Sequence, residues 1–176
     1  MSLEPLQYPI GHFISPKQLD LSLIEKSLEI LRNFPVELET LIAQFTPELW
    51  QTSYRPEGWT AAQLVHHIAD SHMHSYLRFK FAALEDCPTI KAYNEGDWAE
   101  QIDATQSNVS ASMSLIKGVH QRMVDFLESL DKNAYSRSFF HPEMNDKVPI
   151  FEAIPMYAWH SKHHLGHLQI IFRQKP

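Results

Sequence analysis

Histidine is the residue type whose number and spacing point most directly to chemistry in this sequence. The 176-residue chain contains 11 histidines, of which four fall within residues 66–74 and four within residues 160–167. On an α-helix, the step from His160 to His164 places both side chains on one face, one turn apart. Since imidazole is a common metal ligand, the pair predicts part of a metal site. The alternative is a polar helix face in a histidine-rich chain.

A metal ion held by two histidines needs at least one further protein ligand. Residues 65–70 supply two candidates, His66 and His67. They lie on a second predicted helix, and the helices of a bundle can direct such side chains into a shared core site. Spacing alone leaves both candidates open.

Apolar residues recur at helical spacing in four long stretches, which predicts four long helices. A proline inside the first stretch, Pro35, predicts that this helix is kinked or broken. A capping box of Thr60 with Gln63 marks the start of the second. The predicted helices cover about residues 15–45, 60–85, 109–130 and 151–172.

Shorter elements are predicted between the long helices. Residues 6–12 are expected to form an extended arm, residues 46–48 to begin a short helix, and Asp97 to lie near another. A turn or short hairpin is expected within residues 138–150. The predicted fold is therefore all-α, a four-helix bundle with short loop or hairpin insertions, forming a single domain over residues 1–176.

The charge and hydropathy of the chain argue against two classes of partner. The 21 acidic and 15 basic residues give a formal net charge of −6 without a basic block, which disfavours nucleic-acid binding. No apolar run reaches the 18 residues of a membrane span, and the N-terminus does not resemble a secretory signal. The lone cysteine, Cys87, fits a reducing cytoplasm, and no basic neighbour activates its thiol.

Several motifs in their order along the chain resemble the DinB superfamily, and within it the YfiT subgroup of metal-dependent hydrolases. The resemblance covers nearly the whole chain. The matching segments are residues 54–60 (YRPEGWT), 63–73 (QLVHHIADSHM), 75–80 (SYLRFK) and 157–164 (YAWHSKHH), with 8–11 (YPIG) and 140–142 (FHP) as further matches.

The resemblance implies a four-helix bundle, often dimeric, with one metal ion bound by one histidine of the second helix and two of the last. The family's ligand on the second helix precedes an aliphatic residue, which selects His67 over His66. The other two ligands fall on His160 and His164. Zinc is the expected metal, with nickel or iron as alternatives. A homodimer is expected, its arm packing on the neighbour.

Three functions remain open. A three-histidine site has an open position, which suits either activation of water or binding of a thiol. The resemblance makes a hydrolase that activates water for attack on a small-molecule substrate the primary expectation. A hydrolase also needs a base, for which Asp70 or one of the nearby histidines is the candidate. His74 shares the helix face of His67 and could line the pocket. The alternative is a bacillithiol-type thiol S-transferase, whose low-molecular-weight thiol would need cationic partners. The candidate cations are Arg55, Arg78 and Lys80. The third is a non-catalytic, metal-stabilised binding protein.

The remaining clustered histidines are given weaker expectations. His66 and His163 each precede a proposed ligand, so we expect them at the surface, in a dimer contact or at the rim of a pocket. No role is assigned to His72 or His167. The family often has Gly-Gln after the last ligand, whereas here Gly166 precedes His167.

The ligand assignment predicts metal content. Elemental analysis of untagged protein should give about one divalent metal ion per chain, and His160→Ala or His164→Ala should lose it because only two ligands remain. Full occupancy in both variants would contradict the assignment.

Overall fold

The computed structural model describes residues 3–174, which form a four-helix bundle with a small antiparallel hairpin. The helices are α1 (Glu4–Gln7), α2 (Leu21–Ile42), α3 (Ala61–Leu84), α4 (Glu95–Ala99), α5 (Ser110–Glu128) and α6 (Ile150–Arg173). Two 3-10 turns (Pro47–Gln51 and Lys132–Ser136) and two paired strands, β1 (Ser138–His141) and β2 (Asp146–Pro149), connect them. The predicted bundle with a hairpin insertion is confirmed. The limits of the predicted domain, residues 1–2 and 175–176, lie outside the described part.

The four long helices are α2, α3, α5 and α6. Helices α2 and α3 each pack against both α5 and α6. Because α2 and α3 share these two neighbours, they occupy diagonal positions although they are consecutive long helices in the chain. Within residues 3–174, no helix combines the length and apolar character needed to cross a membrane.

Helix α3, which carries one predicted ligand, begins as its sequence predicts. The Thr60 side chain accepts a hydrogen bond from the Gln63 backbone, and the Gln63 side chain accepts one from the Thr60 backbone. The predicted start of the first long helix at residues 15–16 is wrong. Helix α2 begins at Leu21 because Asp20 caps it, accepting hydrogen bonds from the Ser22 and Leu23 backbones at 2.9 and 3.2 Å.

Pro35 does not break α2, which continues to Ile42. A proline inside a helix has no N–H for the carbonyl four residues earlier, here that of Leu31. In this bundle the Nδ1 of His120 on α5 lies 2.6 Å from that carbonyl oxygen. A side chain from a neighbouring helix therefore replaces the missing backbone donor.

The N-terminal arm packs on α6 of its own chain. Residues 6–7 of the predicted extended segment belong to the short helix α1, whereas residues 8–12 lie outside the helices and strands. The Trp159 indole nitrogen donates to the Gly11 carbonyl at 3.1 Å. A Cβ placed at Gly166 would lie 2.8 Å from the Pro9 side chain, so only glycine admits the arm at this distance.

Buried polar residues form a layer between two clusters of apolar side chains. Along α3, Ala69 belongs to one cluster and Phe79 to the other, and His72 lies between them. Along α6, Ala158 and Leu165 belong to different clusters, and the predicted ligands fall between them. The core is thus apolar at both ends and rich in histidine at its middle.

The arm contact predicts opposite effects of two glycine-to-alanine substitutions. Gly118→Ala, on α5 in open space, should raise the free energy of unfolding by about 1 kcal/mol through helix propensity. Gly166→Ala should lose that gain to overpacking, which costs about 1–3 kcal/mol. Urea denaturation of both variants measures the difference, and equal stabilisation would contradict the close contact.

Candidate metal centre

The three predicted ligands converge on one point inside the bundle. His67 comes from α3, and His160 and His164 from successive turns of α6. The Nε2 atom of His160 lies 3.2 Å from that of His67 and 3.1 Å from that of His164. The structure thus brings together the residues that the sequence assigned to one site.

This donor set fits a divalent metal ion. Zinc–nitrogen bonds of 2.0–2.1 Å in a tetrahedron place ligand nitrogens roughly 3.3 Å apart, close to the spacing found here. Burial lowers the pKa of His67 to about 4, helped by His167, and holds the pKa values of His160 and His164 well below the usual range. All three imidazoles are therefore neutral at pH 7, the state in which they can bind a metal.

Two of the ligands have further histidine partners. The Nδ1 of His160 lies 3.0 Å from the Nε2 of His72, whose Nδ1 lies 2.7 Å from the Nε2 of His120. The Nδ1 of His164 lies 3.2 Å from the Nδ1 of His167. Sequence reasoning assigned no role to His72, His120 or His167. The signal for two of them is faint, because His120 stands alone in the sequence and His72, five residues after His67, lies off the ligand face of its helix. His167, three residues after His164 and seven after His160, shares the ligand face of α6, and this spacing could have pointed to it.

An open cleft of about 460 Å³ leads to the three ligands. Trp59 packs on the His67 ring at 4.6 Å between ring centroids, and Trp159 stacks on His163 at 4.4 Å, so both tryptophans form part of the cleft wall. The cleft is lined by Gln7, Tyr8, Tyr54, Arg55, Glu57, Trp59, His67, Glu95, Trp159, His160, His163, His164 and His167.

Glu95 is a cleft residue that sequence reasoning missed. It lies at the start of α4, and it lines both this cleft and a second one of about 450 Å³, which also reaches His160. Burial, with a smaller contribution from the Glu143 carboxylate, raises the pKa of Glu95. A carboxyl group with a raised pKa beside a metal site is a candidate proton acceptor.

Asp70 and His74, the predicted bases, do not line either cleft. The Nδ1 of His74 donates to the Asp70 carbonyl at 2.8 Å, and its ring stacks on Tyr93 at 4.3 Å. The Asp70 carboxyl has a raised pKa because it is partly buried and lies near Asp103. Both residues therefore belong to the contact of α3 with the segment around α4.

Two of the three predicted cations lie at the clefts. Arg55 lines the metal cleft, and Arg78 lines the second cleft, where it donates to the Tyr157 hydroxyl at 2.9 Å. Within residues 3–174, the Nε atoms of both arginines are buried without a hydrogen-bond partner. Lys80 lines neither cleft. Its ammonium lies 4.1 Å from the ring centroid of Phe126.

The two histidines that precede ligands differ. His66 is buried, with contacts of 2.8 Å to the Ser112 hydroxyl and 3.0 Å to the Gln106 carbonyl, so its expected place at the surface or rim is wrong. His163 lines the cleft as expected, and with His164 and His167 it forms a second group whose nitrogens are close enough to hold a metal.

The comparisons with known proteins show the family to which the chain belongs. The model of the DinB superfamily matches residues 30–168, and the chain belongs to this superfamily. It is 34% identical over 169 residues to the "Putative metal-dependent hydrolase YfiT" of Bacillus subtilis (strain 168), covering 96% of this chain and 95% of the relative. It is 38% identical over 166 residues to a "Putative metal-dependent hydrolase" of Bacillus cereus (strain 03BB102), covering 94% and 95%.

A solved structure has the same fold. YfiT from Bacillus subtilis, described as "a probable metal-dependent hydrolase with an unusual four-helix bundle topology", superposes with a TM-score of 0.93 at 34% identity and covers 97% of each chain. The likeness extends over the whole bundle, including the helices that carry the three histidines.

The buried neutral histidines predict that acid destabilises the metal-free protein. His67, His120, His163 and His167 have folded-state pKa values of about 4, against about 6.5 when unfolded. Between these pH values the unfolded chain binds more protons, so each such group lowers stability by about 1.4 kcal/mol per pH unit as pH falls. Urea denaturation in a chelator at pH 7.5, 6 and 5 measures this loss, and a flat profile would contradict it.

Proposed function

We propose that this protein is a hydrolase that uses one divalent metal ion, held by His67, His160 and His164, to cleave a small-molecule ester or amide. The observation that supports this best is the convergence of three neutral imidazole nitrogens at an open cleft that also presents a carboxylate. A metal ion bound there would act as a Lewis acid that activates water and polarises a carbonyl.

Glu95 is proposed as the base. A water molecule that adds to the substrate carbonyl must give up one proton, and the Glu95 carboxylate at the wall of the same cleft can accept it. The same carboxyl group can then protonate the leaving alcohol or amine. The raised pKa of Glu95 suits this exchange, because such a group is a better proton acceptor than an ordinary carboxylate.

Thiol S-transfer is the second candidate, and the two arginines favour it. Arg55 and Arg78 both have an unpaired Nε, and they flank the ligands from the two clefts that meet at Glu95 and His160. A low-molecular-weight thiol with carboxylate groups would match such cations. A non-catalytic binding protein is the third, but a cleft with polar groups beyond the ligands favours an enzyme.

Other properties are proposed on the likeness to the superfamily and on composition. Zinc is the proposed metal, because neutral imidazoles suit it and the nitrogen spacing matches, with nickel or iron as alternatives. A homodimer in the cytoplasm, without nucleic-acid or membrane partners, is proposed as well. The arm also contributes to its own chain's site through the Gln7 carbonyl.

The role of Glu95 predicts the outcome of one substitution. In zinc-loaded protein, Glu95→Gln should lower kcat for a p-nitrophenyl ester by about 100-fold or more, because a positioned base contributes about 10²–10⁴. Asp97→Asn, on the same short helix but outside both clefts, is the matched control and should retain activity. Unchanged kcat in Glu95→Gln would exclude this base.

The same preparations separate hydrolysis from thiol transfer. Conjugation of a chlorobimane is followed with and without a low-molecular-weight thiol that carries carboxylates. Thiol-dependent turnover that is lost in His67→Ala, without turnover of esters or amides by water alone, would replace the hydrolase proposal with the transferase.

A further inference from the structure

We propose that His72 and His120 form a positioning relay. The relay is a hydrogen-bonded chain that starts at the Leu31 carbonyl and fixes which ring nitrogen of His160 carries the proton. Its effect is to leave the Nε2 lone pair of His160 free and aimed at the other two ligands. The inference depends on the metal site proposed above but not on the reaction performed there.

The relay starts at a backbone group whose role is fixed. The Leu31 carbonyl can only accept a hydrogen bond, and the proline at position 35 cannot supply one. The Nδ1 of His120, 2.6 Å away, must therefore carry a proton. A neutral imidazole has one N–H, which leaves the Nε2 of His120 as an acceptor.

The tautomer of each following imidazole is fixed by its hydrogen bond to the preceding imidazole. The Nδ1 of His72 must donate to the bare Nε2 of His120, 2.7 Å away, which leaves the Nε2 of His72 bare. The Nδ1 of His160 must then donate across 3.0 Å to His72. The chain ends with a bare Nε2 on His160, the state that a metal ligand requires.

Other proton arrangements fail on geometry. Turning any one neutral ring to its other tautomer would place two N–H groups, or two lone pairs, face to face at 2.6–3.0 Å. An additional proton passed along the chain would end as an N–H on the Nε2 of His160, pointing at His67 and His164. Only the neutral arrangement that starts at Leu31 satisfies every contact and leaves the site able to bind a metal.

The packing around His72 and His120 shields them from solvent and holds their rings in place. His72 is 0% and His120 1% exposed. The Phe34 ring lies 5.3 Å from the His120 ring and 5.9 Å from the His72 ring, between centroids. The Tyr157 ring meets His72 edge-on at 5.7 Å. With no room for solvent to supply other partners, the tautomers depend on the neighbouring rings.

A second, shorter series of hydrogen bonds, on the side of the N-terminal arm, fixes the tautomer of His164 in the same way. The Gln7 carbonyl can only accept, so the Nε2 of His167, 3.1 Å away, carries a proton and its Nδ1 is bare. The Nδ1 of His164 then donates to it, which again leaves an Nε2 bare toward the site.

The test measures zinc affinity by chelator competition in matched variants. His72→Phe keeps a flat ring but removes the acceptor for His160, and should weaken zinc binding about 10–100-fold. His72→Gln restores an acceptor and should recover most of that loss. His120→Phe acts one ring further away, so we expect about 10-fold. His66→Phe removes another buried, hydrogen-bonded histidine of α3 outside the relay, and should stay within about twofold.

A measurement on the unmodified chain keeps the test independent of folding defects. Long-range ¹H–¹⁵N correlation spectra of metal-free protein distinguish the two imidazole tautomers. We expect His72, His120 and His160 all to carry the proton on Nδ1, and His160 to lose this preference in His120→Phe.

The outcomes separate the relay from the site itself. Zinc affinity that is unchanged in His72→Phe and His120→Phe but lost in His160→Ala would overturn the relay and leave the metal site standing. An Nε2-protonated His160 in the unmodified chain would overturn the relay as well. Zinc retained in His160→Ala would refute the metal site, which is the part of the proposed function on which the relay depends.

Discussion

The contact between the Nε2 atoms of His160 and His164 is the constraint around which the rest of the structure is arranged. Two bare imidazole nitrogens 3.1 Å apart repel each other unless a cation lies between them. Burial of polar rings in a bundle core is also costly unless each finds a partner. A metal-binding layer in this core therefore requires that the Nδ1 atoms of His160 and His164, which face away from the site, be matched to acceptors.

The features that meet this requirement come from distant parts of the chain. On one side, a proline in α2 frees the Leu31 carbonyl, which His120 uses. On the other, the N-terminal arm brings the Gln7 carbonyl to His167, and Gly166 admits the arm at close range. Both series of hydrogen bonds end on backbone carbonyls, which act as acceptors at every pH. Two apolar clusters above and below keep this layer in place.

Selectivity for a reaction depends on the groups around the ligands. Glu95 gives the cleft a carboxylate that can exchange protons with substrate, as hydrolysis needs. Arg55 and Arg78 add cationic groups with unpaired nitrogens on either side, as recognition of an anionic molecule needs. The two proposed chemistries would use the same three histidines and would differ in which of these neighbours contacts the substrate.

The sequence by itself determined the four long helices, the capping box of α3 and the pair His160 and His164, because helical periodicity and the i, i+4 step are local properties. The choice of His67 over His66 came from the resemblance to the superfamily, since spacing left both open. The tertiary structure alone decided the start of α2 at Asp20, the displacement of Asp70 and His74 from the cleft, and the positions of Glu95, His72 and His120 beside the ligands. Those positions depend on contacts between residues far apart in sequence, such as the 89 positions that separate Leu31 from His120. No local pattern encodes which carbonyl a lone histidine will meet, because the packing of α2 on α5 sets that distance.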